Sequence, residues 1–335
     1  MKNISIDELG ASWRTTKKLK KAGINTINQL AKKSENELWF DYNLGREALD
    51  EVLYCLRALG LSLRSEGDAL YMTMDEGMLG RKEDQVKNQY LRNLNKIEFV
   101  VTYACTGRCK HCSEGEHSSC GERIDPQIAA DAVRKIAAEY DIKTVMTFGG
   151  EPLLYTDAVY AIMTAAKELN IPKRQVITNG YFSKNADNIR EVAERLAACG
   201  VNDLLLSVDA FHQETIPLCL VKQFATEAKR CGIPIRLQPA WLVSATDDNP
   251  YNRKTREILD SFADLEISVN QGNVIFPEGN ALKYLAEYFT DGRPENPYVE
   301  DPHDVRCVSF EANGDVLGGN VYRCDIMEII KDYAP

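Results

Sequence analysis

Ile97-Glu98-Phe99-Val100-Val101-Thr102-Tyr103-Ala104-Cys105-Thr106-Gly107-Arg108-Cys109-Lys110-His111-Cys112 reads as a short strand that empties into a loop carrying three cysteines. The run to Tyr103 is apolar and β-branched enough for a buried strand. Thiols spaced by four and three residues can converge on one inorganic centre and leave a fourth coordination position free. An iron–sulfur cube with one open iron suits that count. A zinc site, which usually takes four ligands, is the other reading of the loop alone.

Working outward, the chain of 335 residues is too long for one small domain and suggests two or three units. With 44% apolar and 27% charged residues it has the composition of an ordinary globular protein with a sizeable core. Neither an apolar run long enough to span a membrane nor a signal-peptide core is visible, so a cytoplasmic location and no membrane partner are expected. Ten cysteines in such a sequence argue for reduced thiols and metal ligation rather than a disulfide framework.

From Lys96 onward, apolar runs at 97–103, 143–148, 174–178, 203–208, 234–242 and 265–269 alternate with helical stretches near 125–140, 156–169, 185–198, 214–231 and 251–263. Strands separated by helices imply right-handed crossovers and a parallel sheet. In parallel barrels the site lies at the C-terminal strand ends. The first strand runs into the cysteine loop and the second into Gly149-Gly150-Glu151-Pro152, where two glycines permit close approach to the backbone. The third ends in Thr178-Asn179-Gly180, and Asn179-Gly180 is also a common turn pair. The fourth ends in Ser207-Val208-Asp209-Ala210-Phe211-His212, with Ser207 and Asp209 on one strand face. His212 reads either as a hydrogen-bonded edge residue or as a substrate-side proton donor.

These strand ends, taken with the loop, resemble the radical S-adenosylmethionine enzymes. The resemblance implies an α/β fold, a partial (β/α)6 barrel over residues 96–270, in which Cys105, Cys109 and Cys112 hold a [4Fe–4S] cluster whose fourth iron binds S-adenosylmethionine. It implies that Gly149 to Pro152 receive the methionyl ammonium, and that Asn179, Ser207 and Asp209 lie along the cofactor. Where the family usually has an aromatic residue before the last cysteine, this protein has His111, whose imidazole can lie against the adenine or stay a solvated loop residue. In the implied reaction, an electron from reduced ferredoxin or flavodoxin cleaves the cofactor to methionine and a 5′-deoxyadenosyl radical, which takes hydrogen from the substrate. The cofactors carry the hard chemistry and the protein positions it.

Beyond the barrel, Pro277-Glu278-Gly279-Asn280-Ala281 and the segment from Cys307 through Asn313-Gly314-Asp315-Val316 to Cys324 resemble the opening of a SPASM/twitch-like auxiliary-cluster extension, with Asn280 in place of an arginine. A hairpin is expected at Asn313-Gly314. Cys307 and Cys324, with Cys120 as a third, fall short of the four thiolates of a second iron–sulfur cluster, so residues 271–335 read first as a short, cluster-free α+β cap. Cys199, Cys219 and Cys231 read as helix-side cysteines rather than ligands.

Residues 1–64 form a separate all-α reading, with helices expected at Ser5–Leu9, Ser12–Ala22, Thr26–Lys33, Ser34–Trp39 and Gly45–Leu59, and 65–95 as a connector with a polar helix over Arg81–Asn93. The segment resembles the helix-hairpin-helix C-terminal domain of bacterial RNA polymerase α. It carries eleven Lys and Arg against eight Asp and Glu, whereas the whole protein has a net charge of −10. Arg14 keeps that family's arginine, but Lys17, Glu47 and Ala48 replace its asparagine, lysine and serine, and an anionic residue on the phosphate side repels nucleic acid. The module therefore reads as a docking element, and salt-dependent DNA binding by residues 1–64 is not expected. The substrate reading is a peptide or protein, with a small molecule or sugar as the alternative. A metal-sensing nucleic-acid regulator is the non-enzyme reading, and it leaves Gly149 to Pro152 without a role.

Overall fold

The computed structural model describes residues 4–33, 38, 46–58, 61, 63, 87–115, 121–289 and 294–335. The expected helix Ser34–Trp39 apart from Leu38, the connector over 65–86, Cys120, and the side chains of Arg14 and Glu47 lie outside that description. The protein divides into two compact units, Met1–Asp84 and Gln85–Pro335.

In the first unit a short 3-10 turn, Ile6–Leu9, precedes α1 (Trp13–Lys21), α2 (Ile27–Ala31) and α3 (Arg46–Ala58). Ser12 caps α1, and Thr26 forms a capping box with Gln29 on α2. Ile6, Leu19, Ile27, Leu30, Val52 and Leu56 bury the facing sides into one small core. Glu51 of α3 accepts from Ser12 N–H at 2.6 Å and from the Thr15 hydroxyl, tying α3 to the start of α1. Ala48 is buried in that core, so its small side chain serves packing rather than a phosphate-facing surface.

The second unit alternates β1 (Lys96–Val100), α4 (Pro126–Glu139), β2 (Thr144–Phe148), α5 (Thr156–Glu168), β3 (Lys173–Thr178), α6 (Ala186–Ala198), β4 (Asp203–Ser207), α7 (Ala210–Gln213), α8 (Leu218–Arg230), β5 (Ile235–Gln238), β6 (Ala240–Trp241), α9 (Pro250–Asp260), β7 (Ser268–Val269) and β8 (Asn273–Val274). There follow α10 (Gly279–Tyr284), β9 (Cys307–Phe310), β10 (Asp315–Val316), β11 (Gly319–Asn320) and α11 (Ile326–Asp332). Helix starts obey local chemistry: Asp125 and Asn249 cap α4 and α9, each with proline in the first turn, and Asn185 caps α6.

The main sheet has the order β7-β5-β4-β3-β2-β1-β9, and every pairing in it is parallel. It is an open barrel wall in which β1 to β5 follow in sequence order between the edge strands β9 and β7, with helices packed over the face made by Ile97, Phe99, Val145, Val176, Leu204 and Leu237. The alternation then puts Lys96, Glu98, Gln175, Asp203, Ser207, Arg236 and Gln238 on the opposite, inner face.

Several sequence expectations change. The apolar run 234–242 is not one strand, because Pro239 has no N–H to give the ladder; β5 stays in the sheet and β6 pairs with β8. The helix expected over 214–231 begins only at Leu218, after Pro217, and α7 stands apart before it. Of the run 265–269 only Ser268–Val269 is a strand, and of Arg81–Asn93 the described part holds only a 3-10 turn at Gln89–Leu91. The hairpin after Cys307 is β10–β11, and it turns at Leu317-Gly318, both with positive φ, rather than at Asn313-Gly314. Pairing with β1 commits β9 to the main sheet, so Asn313-Gly314 only redirects the backbone. Among the described residues no helix is long and apolar enough to cross a membrane.

Candidate active site

The loop from Ala104 to Cys112 lies across the C-terminal ends of β1, β2 and β3, held by hydrogen bonds from each. Glu151 N–H donates to Ala104 O at 2.8 Å, and Gly150 N–H to Thr102 O at 2.8 Å. A Cβ on Gly150 would sit 2.1 Å from Ala104 O, and one on Gly149 2.7 Å from Thr102 O. The close approach these glycines permit is that of the protein's own cysteine loop.

Glu151 is fully buried, and its carboxylate accepts from the Thr178 hydroxyl at 2.7 Å, Leu153 N–H at 2.9 Å and Asn179 N–H at 2.8 Å. Burial pushes it up to about 7 against those three donors. Its visible work is to bind the end of β2 to the end of β3, and Pro152 beside it starts a 3-10 turn. Asn179 then reaches forward: its Nδ2 lies 3.6 Å from Cys105 Sγ and 3.2 Å from Thr106 Oγ1, while its Oδ1 accepts from Tyr181 N–H at 2.8 Å.

Cys105 and Cys109 face each other across Gly107; a Cβ there would meet Cys109 Sγ at 3.2 Å and Cys105 Sγ at 3.7 Å. Gly107 N–H points to Cys105 Sγ at 3.3 Å, and the N–H groups of Glu114 and Gly115 point to Cys112. Burial pushes the Cys105 thiol up to about 11, Cys109 well above its ordinary value and Cys112 upward as well. Three clustered thiols that resist ionisation alone are what a cationic metal centre would compensate.

At the end of β4, Asp209 is fully buried and caps α7. Its Oδ1 accepts from Phe211 and His212 N–H, each at 3.0 Å, and its Oδ2 meets His212 Nδ1 at 2.8 Å and Ala240 N–H at 3.1 Å. Burial would raise this carboxyl, but His212 and then His111 hold it at about 2. Asp209 thus has four partners inside the protein, two of them on His212. Ser207, on the inner face at the end of β4, is half-buried. The His111 ring packs 5.0 Å from Phe211 and 4.8 Å edge-on to His212, and burial lowers it to about 4.

Sequence reading missed the residues that grip the loop from behind. Asn280, 7% exposed, donates from Nδ2 to Cys109 O at 3.1 Å and from its backbone N–H to Cys112 O at 2.8 Å. Gly279 is packed so closely that a Cβ would lie 2.2 Å from Ser113 O. Arg108 turns its guanidinium onto Cys105 O and Gly107 O, and its N–H onto Thr215 Oγ1. The Pro-x-Gly-Asn pattern was the available signal for Asn280.

Of the remaining cysteines, Cys307 is buried at the opposite end of the sheet, level with Lys96 on β1, and Cys324 is exposed after β11. Among the described residues they join no group of three metal ligands.

Known proteins resemble both units. Residues 99–234 match the Radical SAM superfamily, and residues 1–58 match the C-terminal domain of the bacterial RNA polymerase alpha subunit. The radical SAM match thus spans the strand ends that carry the cysteine loop, Glu151, Asn179 and Asp209. The probable GTP 3′,8-cyclase of Sulfolobus acidocaldarius is 32% identical over 164 residues, covering 45% of this protein and 49% of that one. The RNA polymerase alpha subunit of Staphylococcus aureus is 51% identical over 63 residues, covering 19% of this protein and 20% of the subunit. The sequence thus spans half or less of the length of these curated relatives. The structure of Streptococcus suis SuiB bound to precursor peptide SuiA has a TM-score of 0.47 at 13% identity, covering 90% of this protein and 82% of that one.

A radical SAM domain uses a [4Fe–4S] cluster and S-adenosylmethionine, and the donor set fits the cluster. The three thiols come from one loop, two of them face each other across Gly107, and backbone N–H groups are aimed at the sulfurs of Cys105 and Cys112. Of the three, among the described residues, only Cys109 also belongs to a group of potential metal-ligand atoms within 4.8 Å of one another.

Proposed function

We propose that this protein is a radical SAM enzyme that modifies a peptide or protein. The carrying observation is the three-thiol loop pinned across the C-terminal ends of β1 to β3 within a radical SAM domain. Cys105, Cys109 and Cys112 would hold the cluster. The cluster would supply one-electron reduction of bound S-adenosylmethionine, with reduced ferredoxin or flavodoxin as the electron source, and through it hydrogen abstraction from the substrate.

The protein's own residues do the positioning. Asn179 and Gly107 N–H orient the Cys105 sulfur, Asn280 and Arg108 fix the loop backbone, and Asp209 holds the Nδ1 proton of His212 so that its Nε2 is left for the site. Asn280 of α10 occupies the carbonyls of Cys109 and Cys112, keeping water from them.

A macromolecular substrate is supported by the unfinished far wall, where β7 and β8 are two residues each and Val269 and Val274 are exposed. A small-molecule substrate is the second reading, favoured by the likeness to a probable GTP 3′,8-cyclase. The α-subunit-like module would dock a protein partner in either case.

The test is anaerobic reconstitution followed by mass spectrometry of 5′-deoxyadenosine, with peptides and nucleotides offered as substrates. Replacing Cys105, Cys109 and Cys112 together by alanine should abolish 5′-deoxyadenosine release. Continued release from that variant would end the proposal.

A further inference from the structure

Cys109 belongs to two constellations. One is the three-cysteine loop. The other is Cys109, His111 and His212, whose ligand atoms all lie within 4.8 Å of one another. A tetrahedral zinc ion with bonds of about 2.0–2.3 Å places its donors about 3.3–3.8 Å apart, so closing this group needs movements of about 1 Å.

Two further observations point to a ligand. His111 Nδ1 is buried and has no hydrogen-bond partner, an orphan that ordinarily costs free energy. His212 is already wired as a metal-binding histidine is, with Nδ1 at 2.8 Å from the fully buried Asp209 carboxylate, which leaves the Nε2 lone pair free to ligate. Phe211 stacks on Tyr251 at 4.6 Å and packs beside His111, giving the group an apolar back wall.

We infer that the cluster-free protein binds one zinc ion through Cys109 Sγ, the orphan nitrogen of His111 and His212 Nε2, leaving a fourth position for water. As the zinc–sulfur bond forms, the Cys109 proton leaves to solvent; no electron is transferred. Cys109 cannot serve two centres, so zinc in this site blocks cluster insertion, and the zinc-loaded protein is a dormant form of the enzyme. That exclusivity rests on Cys109 being a cluster ligand, whereas zinc binding itself does not.

The full-length apo protein is titrated anaerobically with Co(II), read by its tetrahedral d–d and thiolate charge-transfer bands, and then with Zn(II) in competition with a chelator. One metal per protein molecule is expected. His212→Gln keeps a donor for Asp209, and His111→Phe keeps the ring packing; each should weaken zinc by at least about 100-fold, since even outer partners of a ligand are worth 10–100-fold. Cys105→Ala and Cys112→Ala should bind zinc within about threefold of the parent while failing to build the cluster. Zinc-loaded parent should take up less than one iron per molecule until chelator is added. Absence of stoichiometric binding, or equal loss in the Cys105 and histidine variants, overturns the zinc site and leaves the cluster reading standing. Full iron uptake by zinc-loaded protein overturns the exclusivity. Cluster assembly in Cys105→Ala and Cys112→Ala would instead overturn the cluster reading.

Discussion

Replacing Asn280 by alanine removes a buried donor that the cysteine loop depends on. Asn280 Nδ2 is the donor to Cys109 O at 3.1 Å, and the residue is 7% exposed, so water does not readily replace it. Losing such a bond and leaving a buried carbonyl unpaired costs about 2 kcal/mol. The backbone N–H of residue 280 still reaches Cys112 O, so the loss is confined to the middle cysteine. If the loop must open for iron to leave, about 2 kcal/mol makes the open form about 30-fold more populated, since 1.4 kcal/mol is tenfold. The assay is the rate of iron transfer from anaerobically reconstituted protein to a coloured chelator in excess, alongside calorimetric melting. Asn280→Ala should release iron about 30-fold faster, with melting lowered by only a few degrees. Asn280→Asp keeps the size but cannot donate, and it should behave alike. Release within twofold of the parent in both variants would refute the claim that Asn280 holds the loop.

Three further outcomes follow from geometry already given. Asp203 on the inner face meets Arg236 at 2.6 Å and Lys173 at 3.0 Å; burial alone would raise its carboxyl, but these partners hold it below the ordinary value. A lowered folded pKa stabilises above the unfolded value, about 3.9, and is lost as pH falls through the folded one; Asp203→Asn should therefore melt about 4 °C lower at pH 7, with the gap closing below pH 4 in calorimetry. Gly150→Ala puts a Cβ 2.1 Å from Ala104 O and should cost about 1–3 kcal/mol and most of the bound iron, whereas Gly121→Ala, whose Cβ meets only the Tyr155 hydroxyl at 3.3 Å among the described residues, should do neither; equal iron content would refute this. Iron analysis of reconstituted protein should give about four irons per molecule and not about eight, because Cys307 and Cys324 join no metal-ligand group among the described residues.

Much of the fold could be read from the sequence because its helices announce themselves with Asp125-Pro126, Asn185 and Asn249-Pro250, and its strands are short apolar runs between them. What misled was proline placement and pairing partner. Pro239 and Pro217 interrupt runs whose hydrophobic pattern continues through them, and β9 joins β1 across more than two hundred residues, which no local pattern encodes. At the site, the cysteines, the double glycine, Asn179 and Asp209 were visible as residue types at strand ends. Their partners within the protein were not. Glu151 and Asp209 point inward to neighbouring strand ends, and Gly150 accommodates the protein's own loop, because a buried carboxylate must find donors before any ligand arrives.

The pairing of β9 with β1 also sets an order of events in the cell. Until residue 310 has been synthesised, β1 keeps one edge unpaired, Phe99 lacks the ring of Phe310 that stacks on it at 4.6 Å, and Tyr103 lacks the Glu311 carboxylate it donates to at 2.8 Å. Asn280, the clasp behind Cys109, also reaches the growing polypeptide late. The cysteines therefore emerge from the ribosome long before their cage can close, so a nascent polypeptide carries reactive thiols in an open loop. Strand docking of such high sequence separation is slow, so the loop is at its most open in the newly made polypeptide.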